Sequence, residues 1–262
     1  MGSFVELSGV GKTYQEPHGR TVIVENFDLN IAKGECVSLL GHEGCGKSTI
    51  LTMVAGLTAI TDGGILVDGH GVEGPGADRR VLFSSPGLLP WMTVFDNVML
   101  SVHQSHRDAS GAQCEAIVDD YVRQLGLSEV RSQKAMSLTL AAQQRVGLAR
   151  ALALNPKMLL LDEPFELLDP SSRMDLQTVL LDLHARHSLT TLMITRDIEE
   201  ALLLSDRVVL MTDGPKATVG KIFDVPFERP RVRADVLSHP RYGDLQQQIT
   251  AFLDEESRTH AA

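Results

Sequence analysis

Short apolar runs and stretches of helical periodicity alternate along this chain. Mainly apolar runs that are typical of buried strands occur at residues 36–40, 81–83, 158–161, 191–194 and 208–211. Apolar positions at helical spacing predict helices over residues 48–55, 141–154, 171–187 and 198–204, with Ser171 near a capping position. Strands that alternate with helices indicate an α/β fold with a mainly parallel sheet, whose ligands bind at the carboxyl ends of the strands.

The N-terminal part has a pattern typical of an antiparallel edge. Residues 4–10 alternate as a strand does, and residues 11–14 are expected to break it. Further strands are predicted at residues 22–24 and 27–31, and residues 62–64 are predicted to turn into a strand at residues 65–67.

The middle and the tail of the chain complete the prediction. Residues 86–91 form a predicted loop, and helical territory begins at residues 94–102 and continues at 113–125. The strand at residues 208–211 is predicted to close the sheet, and the tail adds a hairpin-like piece from residue 217, a Pro and Arg segment at 226–233 and a last helix near 244–255. We expect one domain over residues 1–262, with a core at 1–85 and 151–225, a helical subdomain at 86–150 and a tail at 226–262.

Residues 41–49 carry the strongest chemical signal of the chain, the sequence G-H-E-G-C-G-K-S-T. It matches the spacing G-x-x-x-x-G-K-S of a Walker A phosphate loop and lies between a predicted strand and a predicted helix. Such a turn aims backbone N–H groups and the positive end of the helix dipole at one point, where an anion binds. In this motif Lys47 reaches the β and γ phosphates, and the Ser48 hydroxyl holds Mg²⁺.

Phosphate binding also accounts for other residues of the loop. Glycine is needed at Gly41, Gly44 and Gly46, because a Cβ would block a positive φ or the close approach of the backbone to phosphate. Glu43 would repel a triphosphate unless its side chain points to solvent, and we expect that it does. Cys45 lies where helix N–H groups could lower its pKa, although a small residue that fits the loop is the favoured interpretation.

A second acidic constellation follows the strand at residues 158–161. Asp162 and Glu163 lie at its carboxyl end, which is the edge of the sheet where the phosphate loop is also expected. Asp162 would hold Mg²⁺, and Glu163 would orient and deprotonate the attacking water. Tyr14 is a candidate platform for a nucleotide base, and a half-buried tyrosine at a strand end is an equal alternative.

Composition restricts the partners. The formal net charge is −10, and clustered Lys and Arg that could bind nucleic acid or anionic lipid are not seen. Apolar runs long enough to span a bilayer are missing too, so the sequence favours the cytoplasm unless another protein holds the chain at a membrane. Cys36, Cys45 and Cys114 have spacings that fit neither a zinc site nor a disulfide framework, which favours a reducing compartment.

These motifs together resemble the ATP-binding subunits of ABC transporters. The likeness rests on residues 41–48, on L-L-L-D-E-P at 159–164 with F-E-L-L-D at 165–169, and on Q-R-V-G-L-A-R-A-L at 144–152. Residues 87–91, 204–208, 211–215 and 229–231 are most similar to importers for nitrate, bicarbonate, sulfonate and taurine, with the nitrate branch nearest.

The resemblance implies a P-loop NTPase (RecA-like) core and a specific assembly. Two ATP-binding subunits, identical or different, would enclose ATP and Mg²⁺ and would act on a membrane permease at the cytoplasmic face of the inner membrane. The nucleotide-binding residues that it implies are Tyr14, Gly41, Gly44, Cys45, Gly46, Lys47, Ser48, Thr49 and Thr139. The catalytic positions are Ser84, Glu163 and Arg196, and the metal ligands are Ser48 and Asp162.

Three positions depart from the family pattern. Ser84 replaces a glutamine that senses Mg²⁺ and water, and Arg196 replaces a switch histidine. The signature Leu-Ser-Gly-Gly appears as Leu138-Thr139-Leu140-Ala141, so that Leu140 stands where a glycine lets N–H groups approach the γ-phosphate. These changes predict intact ATP binding with slow hydrolysis.

Several alternatives stay open at this stage. Arg196 could stabilise phosphate charge as an arginine finger does, or form a surface ion pair with Asp197 or Glu200, which is favoured. The chain could energise an anion importer, could be a degenerate regulatory or structural partner of a competent paralogue, or could be an ATPase without a permease. The stretch at residues 88–91 argues against the last, because in the family it lies beside the coupling-helix groove; Trp91 could equally be ordinary core packing.

Overall fold

The computed structural model describes residues 3–17 and 19–260, and that part of the chain contains ten β-strands and eight α-helices. The strands are β1 (Ser3–Glu16), β2 (Gly19–Ala32), β3 (Cys36–Leu40), β4 (Asp62–Val67), β5 (His70–Gly71), β6 (Arg79–Phe83), β7 (Met158–Asp162), β8 (Thr190–Ile194), β9 (Arg207–Met211) and β10 (Val219–Asp224). The helices are α1 (Lys47–Val54), α2 (Val94–Ser105), α3 (Gly111–Gln124), α4 (Leu140–Leu152), α5 (Pro170–His187), α6 (Ile198–Leu204), α7 (Arg233–Ser238) and α8 (Tyr242–His260).

The chain forms two compact units. The first runs up to Gly76 and resumes at Leu181, and the second is Ala77–Leu180. The predicted single domain and its subdivision stay predictions. No helix among the described residues is both long and apolar enough to cross a bilayer.

The first unit contains both kinds of sheet that the sequence predicts. β2, β1, β4 and β5 follow one another in an antiparallel sheet. β3 pairs in parallel with β8 on one side and with β9 on the other, and all five of its residues are buried. A strand buried on both faces needs the continuous apolar run that residues 36–40 supply. The α/β fold with a parallel sheet and an antiparallel edge is thus confirmed.

The second unit includes all of residues 86–150, the predicted helical insertion. β6 and β7 pair in parallel, and the helices α2, α3 and α4 lie between these two strands in the sequence. The helical stretch predicted from residue 94 is interrupted, because Ser110 forms a capping box with Gln113 and starts α3 as a separate helix. Ser171 lies near the cap of α5, as predicted, and the capping group is the Asp169 carboxylate, which accepts the N–H groups of Ser171 and Ser172.

The break predicted at residues 11–14 is wrong. β1 continues to Glu16 through several register shifts, and Gly11 itself pairs with Asp62 of β4. Bulges of this kind absorb extra residues without ending the ladder. The turn predicted at residues 62–64 is part of β4, where a Cβ on Gly63 would lie 2.3 Å from Gly9 O. Glycine therefore allows two strands to approach closely where the sequence pattern predicts a turn.

The tail contains β10, within the hairpin-like piece predicted from residue 217, and one helix that the pattern misses. β9 does not close the sheet, because β10 pairs with it in antiparallel fashion, and the short helix α7 was not predicted. Arg231 in the predicted Pro and Arg segment donates to the carbonyls of Leu203 and Ser205 and to the Asp206 carboxylate. Burial lowers the pKa of Arg231 to about 10, which still leaves the guanidinium charged at neutral pH. This buried cation fixes the tail to the first unit.

Candidate functional site

The glycine-rich loop joins β3 to α1 in the first unit, as predicted. Gly46 is the N-cap of α1 with φ 98°, and Gly44 has φ 81°. A Cβ on Gly46 would lie 2.9 Å from a methyl carbon of Val24 on β2. Both the left-handed backbone and the close approach therefore require glycine here.

Lys47 occupies the centre of this loop. Its side chain is buried, with 6% of the residue exposed, and its ammonium donates to the carbonyls of Gly41 at 2.7 Å and His42 at 2.6 Å. The Sγ atom of Cys45 lies 3.6 Å from the same nitrogen. All of these partners are uncharged, and a buried charge without an opposite charge is costly. The loop is therefore suited to an anion that brings the missing negative charge.

Cys45 fills the loop and is not activated by it. The residue is 1% exposed, and its Sγ lies 2.8 Å from the place that a Cβ on Gly41 would take. Burial raises the pKa of the Cys45 thiol, although the nearby Lys47 ammonium works in the opposite direction. The interpretation of a lowered pKa is wrong, and that of a small residue that fits the loop is supported.

Ser48 and Thr49 follow in the first turn of α1. The N-terminal N–H groups of a helix and its dipole favour an anion at this end, which fits phosphate. The Ser48 hydroxyl, like a carboxylate, is the kind of oxygen ligand that Mg²⁺ prefers, so the predicted ligand types fit the metal.

Arg196 and Glu43 form an ion pair that the sequence did not predict. Arg196 lies just beyond β8, and its guanidinium donates to the Glu43 carboxylate of the phosphate loop at 3.3 Å. The preceding Thr195 N–H donates to Leu39 O on β3, which places Arg196 beside the entry to the loop. The Glu43 side chain is 82% exposed, so its predicted orientation toward solvent is confirmed. Arg196 is thus part of an ion pair, with a partner in the loop itself.

Tyr14 lies on β1 opposite Thr21 and is 43% exposed. The ammonium of Lys12 lies 4.8 Å from the centre of its ring. Val24 of the same hairpin lies against the loop at Gly46, and it is paired with Lys12, two residues before Tyr14. Its role as a base platform stays a prediction.

The acidic pair and Ser84 meet at one edge of the second unit. Asp162 is paired with Phe83 across the parallel strands β7 and β6, so the residues that follow them, Glu163 and Ser84, leave the same edge. Glu163 has φ 46°, a left-handed conformation that is unfavourable for a residue with a Cβ. Backbone strain of this kind is concentrated at functional sites. The structure thus brings together two predicted catalytic residues and a predicted metal ligand.

Gln144 is a site residue that the sequence reasoning missed. Its amide is buried and donates to the carbonyls of Phe83 and Ser84 from α4. A Cβ on Gly147, one turn further along, would lie 2.7 Å from Pro86, so α4 packs tightly against the same segment. Gln144 begins the motif at residues 144–152, but that motif did not reveal this contact between segments 60 residues apart.

The altered signature begins α4. Thr139 is the N-cap, and its hydroxyl oxygen accepts from the N–H of Ala142 at 3.3 Å. Leu140 is the first residue of the helix and is partly exposed. A leucine side chain therefore stands at the end of the helix, where a phosphate would approach N–H groups.

The predicted site residues fall into two groups. The first unit holds Tyr14, Gly41, Gly44, Cys45, Gly46, Lys47, Ser48, Thr49 and Arg196, and the second holds Ser84, Thr139, Asp162 and Glu163. Each group is assembled at the carboxyl ends of parallel strands or at a helix N-terminus, except for Tyr14. Their individual roles stay predictions.

Known proteins resemble this chain over most of its length. The sequence model of the ABC transporter family matches residues 24–166. The nitrate import ATP-binding protein NrtC of Synechocystis sp. is 42% identical over 259 residues, which are 98% of this chain and 39% of NrtC. The nitrate import ATP-binding protein NrtD of Synechococcus elongatus is 42% identical over 250 residues, which are 95% of this chain and 91% of NrtD.

A solved structure supports the same relationship. The dimeric, post-hydrolysis form of the ATP-binding cassette MJ0796, bound to ADP and Pi, matches with a TM-score of 0.74 and 28% identity. The match covers 86% of this chain and 100% of that protein.

Proposed function

The chain belongs to the ABC transporter family, and we propose that it is the ATP-binding subunit of an importer for a small anion such as nitrate. The observation that carries the proposal is the buried ammonium of Lys47, which is held by uncharged groups inside a glycine-rich loop. A nucleoside triphosphate supplies the negative charge that the partners of this ammonium lack.

The anion is assigned from the relatives alone. Both named relatives are nitrate import proteins, and this chain spans only 39% of the length of NrtC. A nucleotide-binding subunit does not touch the transported solute, so no side chain described above selects nitrate. Transport of nitrate, the permease and the position at the cytoplasmic face of a membrane are therefore parts of the proposal.

The proposal gives each predicted site residue one chemical role. Lys47 and the loop N–H groups would hold the β and γ phosphates, and the ligands that the family pattern predicts for Mg²⁺ are the Ser48 hydroxyl and the Asp162 carboxylate. Mg²⁺, when bound, neutralises charge on the phosphate oxygens. Glu163 orients the attacking water and accepts its proton.

We expect this hydrolysis to be slow. Ser84 is shorter than the glutamine of the family, and Leu140 places a branched side chain at the N-terminus of α4. Removal of one hydrogen-bond donor that points to the charge of the transition state typically lowers the rate by about 10² to 10³. Because the phosphate loop keeps its glycines and its lysine, nucleotide binding is expected to persist.

A second function is favoured by the same departures. If a competent paralogous ATPase subunit is the partner, this chain would bind ATP and serve as a regulatory or structural half of the pair. A solved relative is dimeric, and the proposal assigns either a second copy or a paralogue as the partner.

Co-purification tests the proposal. The chain should be isolated from its native cell in detergent with a polytopic membrane permease, and ATPase activity should be measured with and without any paralogous subunit. A complex that contains two copies of this chain supports the first function, and one that contains a paralogue supports the second. Isolation without a permease at every detergent condition would contradict both.

The ion pair of Glu43 and Arg196 is expected to affect the Kd for Mg·ATP. The exposed Glu43 carboxylate lies in the loop expected to hold phosphate, and two unit charges about 6 Å apart in water repel by about 0.7 kcal/mol. Arg196 offsets this repulsion, so Arg196→Ala should raise the Kd for Mg·ATP about threefold or more. The double variant with Glu43→Ala should return to about the wild-type Kd.

Turnover of the same variants distinguishes an electrostatic from a catalytic role. If Arg196 stabilised charge in the transition state, Arg196→Ala would lower kcat, and Glu43→Ala would not restore it. Titration at low and high salt is the matched control, because screening should reduce the effect of this exposed pair. An unchanged Kd in Arg196→Ala at low salt would contradict the electrostatic account.

A further inference from the structure

The last turns of α8 are hydrogen-bonded to the phosphate loop. His42 follows the first glycine of the loop, and its ring reaches two other segments of the first unit. Its Nδ1 lies 2.7 Å from the Asp213 carboxylate, which follows β9. Its Nε2 lies 2.9 Å from the Ser257 hydroxyl of α8. The imidazole therefore bridges the C-terminal helix and the β9 loop.

The neighbouring residue of α8 completes this arrangement. The N–H of Asp213 donates to the Glu256 carboxylate at 3.0 Å. Because β3 and β9 are parallel neighbours, with Leu40 opposite Leu210, the loops that follow them leave the same edge. Two consecutive residues of α8 thus hold both loops at that edge. We call His42, Asp213, Glu256 and Ser257 the tail contact.

The helix that provides the tail contact is packed against the first unit. A Cβ on Gly220 of β10 would lie 2.3 Å from the tip of the Phe252 ring of α8, so this ring packs closely over the glycine. Leu245 and Ile249 on the same helix are buried. Core packing therefore holds the body of α8, and Ser257, which is exposed, lies two turns beyond Ile249.

The tail contact is linked to Lys47 through the backbone carbonyl of His42. His42 contributes its side chain to α8 and Asp213, while its carbonyl accepts from the Lys47 ammonium at 2.6 Å. The loop after β9 also packs beside the phosphate loop at Gly214. A Cβ on this glycine would lie 3.5 Å from Gly44 O. A shift of His42 would move a carbonyl that holds Lys47.

We propose that α8 is a positioning element of the nucleotide site, in which Ser257 and Glu256 preorganise the phosphate loop through His42 and Asp213. The proposal rests on the proposed function, because the loop is taken to bind nucleotide phosphate. α8 lies outside residues 24–166, which the family model matches. A site held in its binding geometry binds more tightly, because less ordering is needed on binding.

The order of serine, imidazole and carboxylate also occurs in hydrolytic triads, but the surroundings of Ser257 favour positioning. Ser257 lies inside α8, and its hydroxyl is also 3.1 Å from Leu253 O. The N–H groups of a helix interior are engaged in the helix and do not form an oxyanion hole. The serine is thus a hydrogen-bond partner of His42.

Two variants of the full chain test the inference. Ser257→Ala and Glu256→Ala each remove one partner of the tail contact, and each should raise the Kd for both Mg·ATP and Mg·ADP about three- to tenfold, as the loss of a hydrogen bond does. Both nucleotides are affected because the loop contacts phosphates that they share. In nucleotide-free protein, hydrogen exchange at the amides of residues 42–46 should become faster. Glu256→Gln keeps an acceptor oxygen and should retain the wild-type values.

Thr250→Ala is the matched control. It removes a hydroxyl from the same helix, where Thr250 bonds to Gln246 O within α8. It should change neither Kd nor exchange of the loop. If Ser257→Ala and Glu256→Ala keep the wild-type Kd and exchange, or if Thr250→Ala has the same effect, the inference is wrong. A wild-type chain that binds no nucleotide would instead refute the proposed function, and exchange in the nucleotide-free protein would still test the tail contact.

Discussion

Replacement of Lys47 by alanine should abolish measurable binding of Mg·ATP, with Kd raised about a hundredfold or more. The buried ammonium is the loop's only formal positive charge, and hydrogen bonds to a charged group are worth about 1.5 to 3 kcal/mol each. Loss of two such bonds to phosphate oxygens gives this factor, since 1.4 kcal/mol corresponds to tenfold in Kd. Titration calorimetry or a fluorescent nucleotide analogue measures it.

Lys33→Ala is the control for this change. Lys33 lies in the exposed turn before β3, so its removal lowers the net charge of the chain equally without touching the loop. It should keep the wild-type Kd. If Lys47→Ala, confirmed as folded by circular dichroism, binds Mg·ATP within about threefold of wild type, the loop is not the phosphate site.

Restoring the family residues at two altered positions should raise the rate of hydrolysis about a hundredfold or more. Ser84→Gln places a longer amide at the edge where Asp162 and Glu163 lie, and Leu140→Gly removes a side chain from the N-terminus of α4. A group that acts only in the transition state changes kcat and leaves the affinity for substrate nearly constant. Each such group typically raises kcat by a factor of about 10² to 10³.

The measurement is steady-state phosphate release by the complex with its permease. Ser85→Gln, one residue further along an exposed segment, is a matched control that should leave the rate unchanged. A double variant that hydrolyses no faster than wild type would show that Ser84 and Leu140 do not limit the rate. An equal gain in Ser85→Gln would mean that the position of the amide is unimportant.

Local pattern predicted the elements around the site well. The phosphate loop, the strands at residues 36–40 and 158–161 and the helix at 198–204 are where the sequence indicates, because turn chemistry and apolar runs are local signals. The break expected at residues 11–14 failed because a bulged strand and a strand end use the same glycine signal. The outer strand β10 lies in the hairpin-like piece predicted from residue 217, but its addition to the sheet beyond β9 was not predicted.

The contacts that tune the site could not be predicted from local pattern. Arg196 is separated from Glu43 by 153 residues, and Ser257 from His42 by 215. Such pairs are formed only after the strands are ordered, and a charged or hydroxyl residue in a helix usually faces solvent. Resemblance to a family marked Arg196 as unusual but did not identify its partner.

The fate of bound ATP is the most direct test of the account. The wild-type chain should be mixed with Mg²⁺ and radiolabelled ATP, separated from free nucleotide, and assayed over time for bound ATP and ADP, with Lys47→Ala as the blank. We predict that ATP is retained and is converted much more slowly than about once per second, the lower end of ordinary enzyme turnover. Failure to retain nucleotide above the blank, or conversion faster than that rate, would contradict the account.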